Sequence, residues 1–142
     1  MPDQLAGIIE PVVDPDAAPF WAAVAEGRLL VPTCLGCGAT FFPPLPCCPR
    51  CQSELLELVE ATGTATLYSW VVMRRALDPA FAAAVPYVVA AVELAEGARL
   101  YSRLVHVDPD ALQAGMVLRL VFVEIDGRPM WAFAPEGAVP TP

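Results

Sequence analysis

The residues of this chain that could carry chemistry are its five cysteines, which all lie within one 18-residue stretch. Two Cys-x-x-Cys pairs, Cys34 with Cys37 and Cys48 with Cys51, are separated by ten residues. A tight turn in each pair brings two sulfurs to one side, and four thiolates complete the tetrahedral shell that zinc prefers. One glycine inside the first pair and another directly after it suit such a turn. We therefore predict a zinc ribbon.

Zinc is favoured over the other uses of clustered cysteines. Disulfides fit an even cysteine count in a secreted chain, whereas this count is odd and no export signal precedes the cluster. Disulfides, free thiols and an iron centre remain the alternatives to zinc. A shell of four thiolates leaves no open position for water or substrate, so we expect a structural metal ion rather than a catalytic one.

Cys47 is the cysteine left over by the spacing. Cys48 stands three positions before Cys51 and repeats the Cys-x-x-Cys pattern, whereas Cys47 would lengthen the gap by one residue. We therefore expect Cys47 not to bind the metal. Its side chain is interpreted as a small packed group, with an exposed and oxidisable thiol as the alternative.

The sequence predicts no catalytic residues. His106 is the only histidine, and a cysteine nucleophile for it would have to be taken from the metal pairs. Ser69 and Ser102 lie in strand-like segments without the glycine elbow that exposes a nucleophilic serine. No phosphate-binding glycine loop or dinucleotide fingerprint occurs either. A binding or structural role is the better interpretation.

The composition favours a protein that binds a partner surface. Eight arginines and no lysine face sixteen acidic residues, and the net charge of -8 argues against general binding to a phosphate backbone. The hydrophobic fraction of 56% is more than the core of 142 residues is expected to use. The surplus suggests an apolar surface that a partner covers.

No segment reads as a membrane span or an export signal. The longest uncharged stretch, residues 29–49, contains five prolines, whereas a spanning helix needs about 20 continuous apolar residues. The first residues carry acids where a secretory signal has basic side chains. We expect a cytoplasmic protein that does not bind membranes.

A short helix is predicted before the cysteines, after a tail rich in Pro and Asp. The segment "DAAPFWAAVAEGRL" offers Asp16 as the cap, Pro19 at an early position and Gly27 as the stop. Phe20 and Trp21 place two large aromatic side chains together on this helix. They would either pack in the core of the chain or dock against another subunit, because so short a helix is not stable alone.

The later sequence has the period of β-strands. Five segments are rich in β-branched and aromatic residues, namely 61–75, 86–94, 98–107, 116–125 and 129–136. A short helix is predicted over residues 108–115, capped by Asp108 and ended by Gly115. Asp126 and Gly127 predict a hairpin turn. Five strands with one helix between the third and fourth is the order of an OB-fold barrel.

The predicted fold class is mainly β: an N-terminal helix, a four-cysteine zinc ribbon and a five-stranded OB-fold barrel. The regions in chain order are an N-terminal tail and docking helix over 1–30, the ribbon over 31–54, the OB-fold over 55–136 and a C-terminal tail over 137–142.

This order of motifs resembles the DUF35 family of acyl-CoA-associated OB-fold proteins with a rubredoxin-like zinc ribbon. The likeness is carried by "CLGCGATFFPP" and "CPRC", and then by "GTATLYSWVVMRR", "PYVVAAVEL" and "RLYSRLVHVDPDALQAGMVLRLVF". It extends from about residue 20 to residue 135 and covers nearly the whole chain.

The resemblance implies a non-catalytic accessory subunit in a hetero-oligomer with a thiolase-superfamily enzyme. That enzyme would be an acyltransferase, or an aldolase that cleaves side-chain acyl-CoAs in steroid breakdown. In such assemblies the thiolase-like subunit, of the lipid-transfer-protein type, supplies the catalytic residues, and the DUF35 subunit helps to bind acyl-CoA. Some family members also pair with MaoC-like hydratases.

Binding of anionic CoA by an acidic chain would need guanidinium groups placed nearby. Arg74 and Arg75 end the first barrel strand, and Arg99 and Arg103 share one face of the third because side chains alternate along a strand. We predict that these four arginines contact CoA. A solvated or ion-paired surface role is the alternative.

The predicted partner interface consists of aromatic side chains. Phe20 and Trp21 of the helix would contribute to it, together with Phe41 and Phe42 of the uncharged ribbon tip "FFPPLP".

A nucleic-acid-binding OB-fold with a zinc ribbon is the second hypothesis, since both parts occur in such proteins. The lack of lysine and the net charge of -8 argue against it.

Overall fold

The computed structural model describes residues 13–138. The elements in chain order are α1 (Ala18–Ala25), β1 (Leu30–Cys34), β2 (Leu56–Glu60), β3 (Thr64–Met73), β4 (Tyr87–Leu94), β5 (Arg99–Leu104), β6 (Val117–Ile125) and β7 (Arg128–Pro135). Short 3-10 turns occupy Pro79–Phe81 and Pro109–Ala111. Most of both predicted tails lies outside the described residues. No helix within residues 13–138 is long and apolar enough to cross a membrane.

Helix α1 is held at its start by Asp14. The Oδ1 atom of Asp14 accepts a hydrogen bond from the backbone N–H of Ala17 at 2.8 Å. The prediction that Asp16 caps the helix is wrong, because the N-cap residue is Ala17 and no side chain caps it. Asp14 lies three residues before Ala17, and its carboxylate extends forward along the chain to that N–H. Gly27 has a φ of +75° directly after the helix and ends it as predicted.

The Asp14 contact gives a first testable difference between two neighbouring acids. We expect Asp14→Ala to lower the free energy of unfolding by about 1 kcal/mol, the usual value of such a side-chain contact. The matched change Asp16→Ala should have almost no effect, since Asp16 makes no capping contact. Urea denaturation of both variants measures the difference, and equal stabilities would mean that Asp14 does not stabilise the helix.

The five strands β3 to β7 close into a barrel with the order β3-β4-β5-β7-β6, and β6 pairs back with β3. Neighbouring strands are antiparallel except for β5 and β7, which meet in parallel at Leu104 and Phe133. A bulge between Leu67 and Ser69 interrupts the pairing of β3 with β4. This order is that of an OB-fold, so the predicted fold class is confirmed.

The predicted helix over residues 108–115 is only a three-residue 3-10 turn, Pro109–Ala111. Asp108 does cap it, since its side chain accepts from the N–H of Asp110 at 3.0 Å. The N–H of Gly115 donates instead to the carbonyl of Leu67 on β3 at 2.7 Å. Because the barrel takes up this backbone group, the segment cannot extend as a helix.

A second, two-stranded sheet joins the ribbon to the barrel. Strands β1 and β2 pair antiparallel from Leu30 with Glu60 to Cys34 with Leu56. Residues 56–60 therefore pair with the ribbon strand rather than within the barrel, although the sequence places them in the OB-fold. The predicted division between residues 54 and 55 stays a prediction.

One hydrophobic core connects the helix, the ribbon strand and the barrel. Its most deeply buried large side chains are Phe20, Leu29, Val31, Leu67, Val88, Val92, Leu118 and Phe133. Members of α1 and β1 thus pack against the inside and one end of the barrel. This shared core fixes the ribbon against the barrel, because separating them would expose apolar surface from both.

Candidate metal centre and binding surface

The four predicted ligands converge in the structure. The sulfurs of Cys34, Cys37, Cys48 and Cys51 all lie within 4.8 Å of one another. The Sγ atoms of Cys34 and Cys51 are 3.5 Å apart, and those of Cys37 and Cys48 are 3.7 Å apart. A tetrahedron with zinc–sulfur bonds of about 2.3 Å has edges of about 3.8 Å. The cluster therefore has the dimensions of a four-thiolate zinc site, and Cys47 lies outside it.

The two cysteine turns have the same backbone design. The N–H of Gly38 donates to the carbonyl of Cys34 at 2.9 Å, and the N–H of Gln52 donates to that of Cys48 at 2.8 Å. Gly38 and Gln52 both have positive φ, +77° and +65°. Gly36 instead allows close packing, because a Cβ there would lie 3.4 Å from the side chain of Ser53. The left-handed turn at Gln52 is not evident from the sequence.

Backbone N–H groups stabilise thiolates at two of the sulfurs. The N–H of Cys37 points at Cys34 Sγ at 3.5 Å and is the main cause that lowers the pKa of Cys34 to about 6. For Cys48, burial raises the pKa, but the N–H groups of Cys51 and Arg50 outweigh it and the net pKa is lowered. Both turns therefore favour the ionised, metal-binding form of one cysteine.

Cys51 has the opposite shift. The N–H of Ser53 lowers the pKa of Cys51, yet the sulfurs of Cys34, Cys37 and Cys48, together with burial, raise it to about 12. Four adjacent thiols cannot all ionise unless a cation neutralises them. The donor set therefore fits a thiophilic divalent cation such as zinc, and the closed shell gives it a structural role.

An aromatic cluster lies where the helix, the ribbon and the barrel meet. The ring of Phe20 is 5.2 Å from Trp21, 5.4 Å from Phe42 and 5.4 Å from Trp131, measured between ring centroids. Trp131 of β7 was not among the predicted site residues, because nothing in its local sequence shows that it meets α1. The cluster connects three parts of the fold.

Two of the four predicted interface residues face inwards. Phe20 is 1% exposed, and Phe41 is 8% exposed and packs against Cys34 and Cys48. These two rings pack within the chain, so their side chains offer no surface to a partner. For Phe20 of the helix, this is packing in the core rather than docking against another subunit. Trp21 and Phe42 are half-buried and keep part of their rings at the surface.

The four predicted CoA-contacting arginines lie near one side of the barrel. Arg99 and Arg103 alternate with buried residues of β5 and share its outer face. The guanidinium of Arg99 forms an ion pair with Glu93 and lies 3.6 Å from the ring centroid of Tyr68. The side-chain hydrogen bond to Glu93 is the main cause that raises the pKa of Arg99.

Arg103 and the two loop arginines have different surroundings. Arg103 is half-buried and lies 5.6 Å from the ring centroid of Tyr87. Arg74 and Arg75 follow β3 and are exposed, and the described part of the chain provides neither with a hydrogen bond or an ion pair. These two guanidinium groups are therefore available to an anion that residues 13–138 do not supply.

The predicted lack of catalytic residues stays a prediction. Ser102 is buried within β5, where its hydroxyl donates to the carbonyl of Arg103 at 3.2 Å. Ser69 lies at the bulge of β3, and His106 follows β5 with a φ of +55°.

Two family models together match residues 21–123. The ChsH2 rubredoxin-like zinc ribbon domain matches residues 21–57, and the ChsH2 C-terminal OB-fold domain matches residues 58–123. A DUF35 domain-containing scaffold protein of Methanothermobacter thermautotrophicus is 40% identical over 93 residues, which are 65% of this chain and 69% of that protein. The chain belongs to the DUF35 family.

Two further relatives are a chain of similar length in a solved structure and a longer protein. A chain of the solved "Ltp2-ChsH2(DUF35) aldolase" is 39% identical, with a TM-score of 0.80 and coverage of 89% of this chain and 99% of that one. A "Probable enoyl-CoA hydratase alpha subunit" of Thermomonospora curvata is 41% identical over 116 residues, which are 82% of this chain and 36% of the relative. The DUF35 chain thus spans about a third of that subunit's length.

Proposed function

We propose that this DUF35 protein is a non-catalytic accessory subunit of a thiolase-superfamily enzyme that acts on acyl-CoA. The observation that carries the proposal is the likeness to a chain of the Ltp2-ChsH2(DUF35) aldolase, which covers 99% of that chain. An aldolase acting on side-chain acyl-CoAs, as in steroid breakdown, is therefore favoured over an acyltransferase. A MaoC-like hydratase is an additional partner, which the hydratase alpha subunit supports.

The proposed zinc ion stabilises the ribbon and takes no part in the reaction. Cys34, Cys37, Cys48 and Cys51 would hold it, and their four sulfurs leave no position open for substrate. The ion supplies folding energy to the ribbon, residues 31–54, a segment that has few core residues of its own. Through the shared core it also fixes the orientation of the ribbon on the barrel.

The proposed role in substrate binding rests on the loop that follows β3. Arg74 and Arg75 are exposed, and neither forms an ion pair within residues 13–138. In a complex, the CoA phosphates would form ion pairs with these two arginines, since guanidinium groups bind phosphate through charge-assisted hydrogen bonds. Arg99 is less suited to this role because Glu93 already neutralises it.

The function is tested by co-expression with the Ltp2 subunit of the solved aldolase. We expect a stable complex on size exclusion, with cleavage of the acyl-CoA substrate by the complex and none by the DUF35 protein alone. Turnover by the purified DUF35 chain alone, or failure to form the complex, would contradict the proposal. The nucleic-acid alternative gains nothing from the four-arginine region, because one of those arginines is already ion-paired.

The loop arginines provide a quantitative prediction. The double variant Arg74→Ala/Arg75→Ala should raise the KM of the complex for acyl-CoA about tenfold with kcat almost unchanged, since charge-assisted hydrogen bonds to phosphate are worth 1.4 kcal/mol or more. The control Arg50→Ala removes an arginine of the ribbon that is likewise exposed and should leave KM unchanged.

A truncated substrate separates phosphate binding from general damage. With a pantetheine thioester, which lacks the nucleotide phosphates, the double variant and the wild type should have the same KM. An equal rise in KM for both substrates would show that Arg74 and Arg75 do not contact the phosphates.

A further inference from the structure

The outer side of β3, β4 and β5 carries an exposed apolar surface that no other part of residues 13–138 covers. We call it the barrel face: its exposed side chains are Tyr68, Val71 and Tyr101, and the half-buried Val89 and the buried Ala91, which is 6% exposed, lie between them on β4. The strand register places these residues side by side: Val71 pairs with Val89, and Ala91 pairs with Tyr101. Tyr68 is 53% exposed, Val71 55% and Tyr101 77%. Single exposed apolar residues are common, but a contiguous group of this kind marks an interaction site.

The barrel face is held in shape before any partner binds. The guanidinium of Arg99 lies over the ring of Tyr68, 3.6 Å from its centroid, and forms an ion pair with Glu93. The centre is flat because Val89 and Ala91 are short. Aromatic rings around a flat apolar centre, with arginines beside them, are typical of the centres of protein interfaces, and here the ring of Tyr68 is already held in place.

The charge around the barrel face differs from that of the remaining chain. The outer side of the three strands and the loop after β3 contain four arginines and two acidic residues, namely Arg74, Arg75, Arg99, Arg103, Asp78 and Glu93. Everywhere else the sequence has fourteen acidic residues and four arginines. The barrel face is thus the basic side of an acidic protein, and a partner that complements it is anionic at its border.

A second copy of this chain fits the barrel face poorly. Two copies placed face to face would bring eight arginines together with four acidic side chains. Like charges at such an interface cost binding energy, so a different protein is the better occupant.

We propose that the barrel face docks onto the catalytic enzyme subunit, which presents an apolar patch with an anionic border. This inference rests on the proposed function and adds the surface through which the complex forms. At the end of the barrel face near Arg74 and Arg75, the CoA phosphates supply the anion. Elsewhere, apolar side chains of the enzyme subunit cover the exposed rings of Tyr68 and Tyr101.

The proposal is tested with Tyr101→Glu, which replaces the most exposed ring of the barrel face by a carboxylate. Tyr101 is so exposed that its replacement leaves the fold intact, and thermal unfolding checks this. Affinity for the Ltp2 subunit, measured by isothermal titration calorimetry, should fall about 30-fold or more, as at an interface hot spot. The matched control Leu55→Glu, at an exposed leucine of the ribbon, should bind within about threefold of the wild type.

The outcomes distinguish this inference from the proposed function. Equal affinity of Tyr101→Glu and the wild type, or an equal loss in Tyr101→Glu and Leu55→Glu, overturns the docking surface and leaves the proposed function in place. No binding of Ltp2 by the wild type overturns the proposed function and the docking surface with it.

Two measurements on the isolated protein test whether a second copy of the chain or a nucleic acid occupies the barrel face instead. Sedimentation that shows a dimer in the wild type and a monomer in Tyr101→Glu would assign the barrel face to a second copy. Binding of a labelled single-stranded oligonucleotide at low salt, abolished by Tyr101→Glu, would assign it to stacking of bases. Either result overturns the proposal, and we expect a monomer that does not bind the oligonucleotide.

Discussion

Replacement of Cys48 by serine will release the metal and unfold the ribbon. Cys48 is buried at the centre of the four-sulfur cluster, and a serine hydroxyl does not replace a thiolate as a zinc ligand. The binding free energy of a structural zinc ion is on the order of 10 kcal/mol, and it is folding energy because the unfolded segment has no preformed site. The effect should exceed that of any single change outside the four cysteines of the cluster.

Metal content and secondary structure measure this effect. Zinc bound per chain after dialysis should fall from one to near zero in Cys48→Ser, and the barrel should lose stability because Leu29 and Val31 next to the ribbon are part of its core. Cys47→Ser is the matched control, since Cys47 lies outside the cluster. A chain that keeps zinc in Cys48→Ser and loses it in Cys47→Ser would show that the register of the second pair is shifted by one residue.

Replacement of Phe20 by alanine will lower the free energy of unfolding by about 3–5 kcal/mol, the usual cost of removing a buried aromatic ring. Phe20 is almost fully buried and contacts Trp21, Phe42 and Trp131 edge-on. Each such ring pair contributes about 0.5–1.5 kcal/mol beyond its buried area. The helix, the ribbon tip and the barrel would all lose a common contact.

The control for Phe20 is a ring that stacks on the surface. Phe81 lies 5.3 Å from Tyr87 and is half-exposed, so Phe81→Ala should cost about 1 kcal/mol or less. Urea denaturation gives both values. The fluorescence of Trp21 and Trp131 should shift to longer wavelength in Phe20→Ala alone. A loss below 1 kcal/mol in Phe20→Ala would contradict the central position of its ring.

The sequence was sufficient where the signal is local. The spacing of Cys34, Cys37, Cys48 and Cys51 predicts four sulfurs in one cluster, because a two-residue gap forces a tight turn. The alternation along β5 likewise predicts that Arg99 and Arg103 share a face, and burial confirms it. The barrel strands and the OB-fold order follow from the same period of two, together with turn residues between the segments.

Tertiary structure decides which partner accepts the hydrogen bond of a given backbone N–H. The sequence favours Asp16 as the cap, and only the path of the chain brings Asp14 to the N–H of Ala17. The segment 108–115 has both signals of a helix, but β3 accepts the hydrogen bond of Gly115. Strand β1 contains a proline and pairs with β2 across more than twenty residues, a distance that periodicity does not span.

The sequence by itself determined the four-cysteine cluster, the barrel strands and the family, because these depend on spacing and period along the chain. Tertiary structure decided which aromatic side chains are available to a partner. Phe20, Phe41, Tyr68 and Tyr101 are all aromatic, and their local sequence does not distinguish them. The two phenylalanines are buried, whereas the two tyrosines are exposed. Exposure depends on what packs from distant parts of the chain, and so the docking surface becomes visible only in the folded protein.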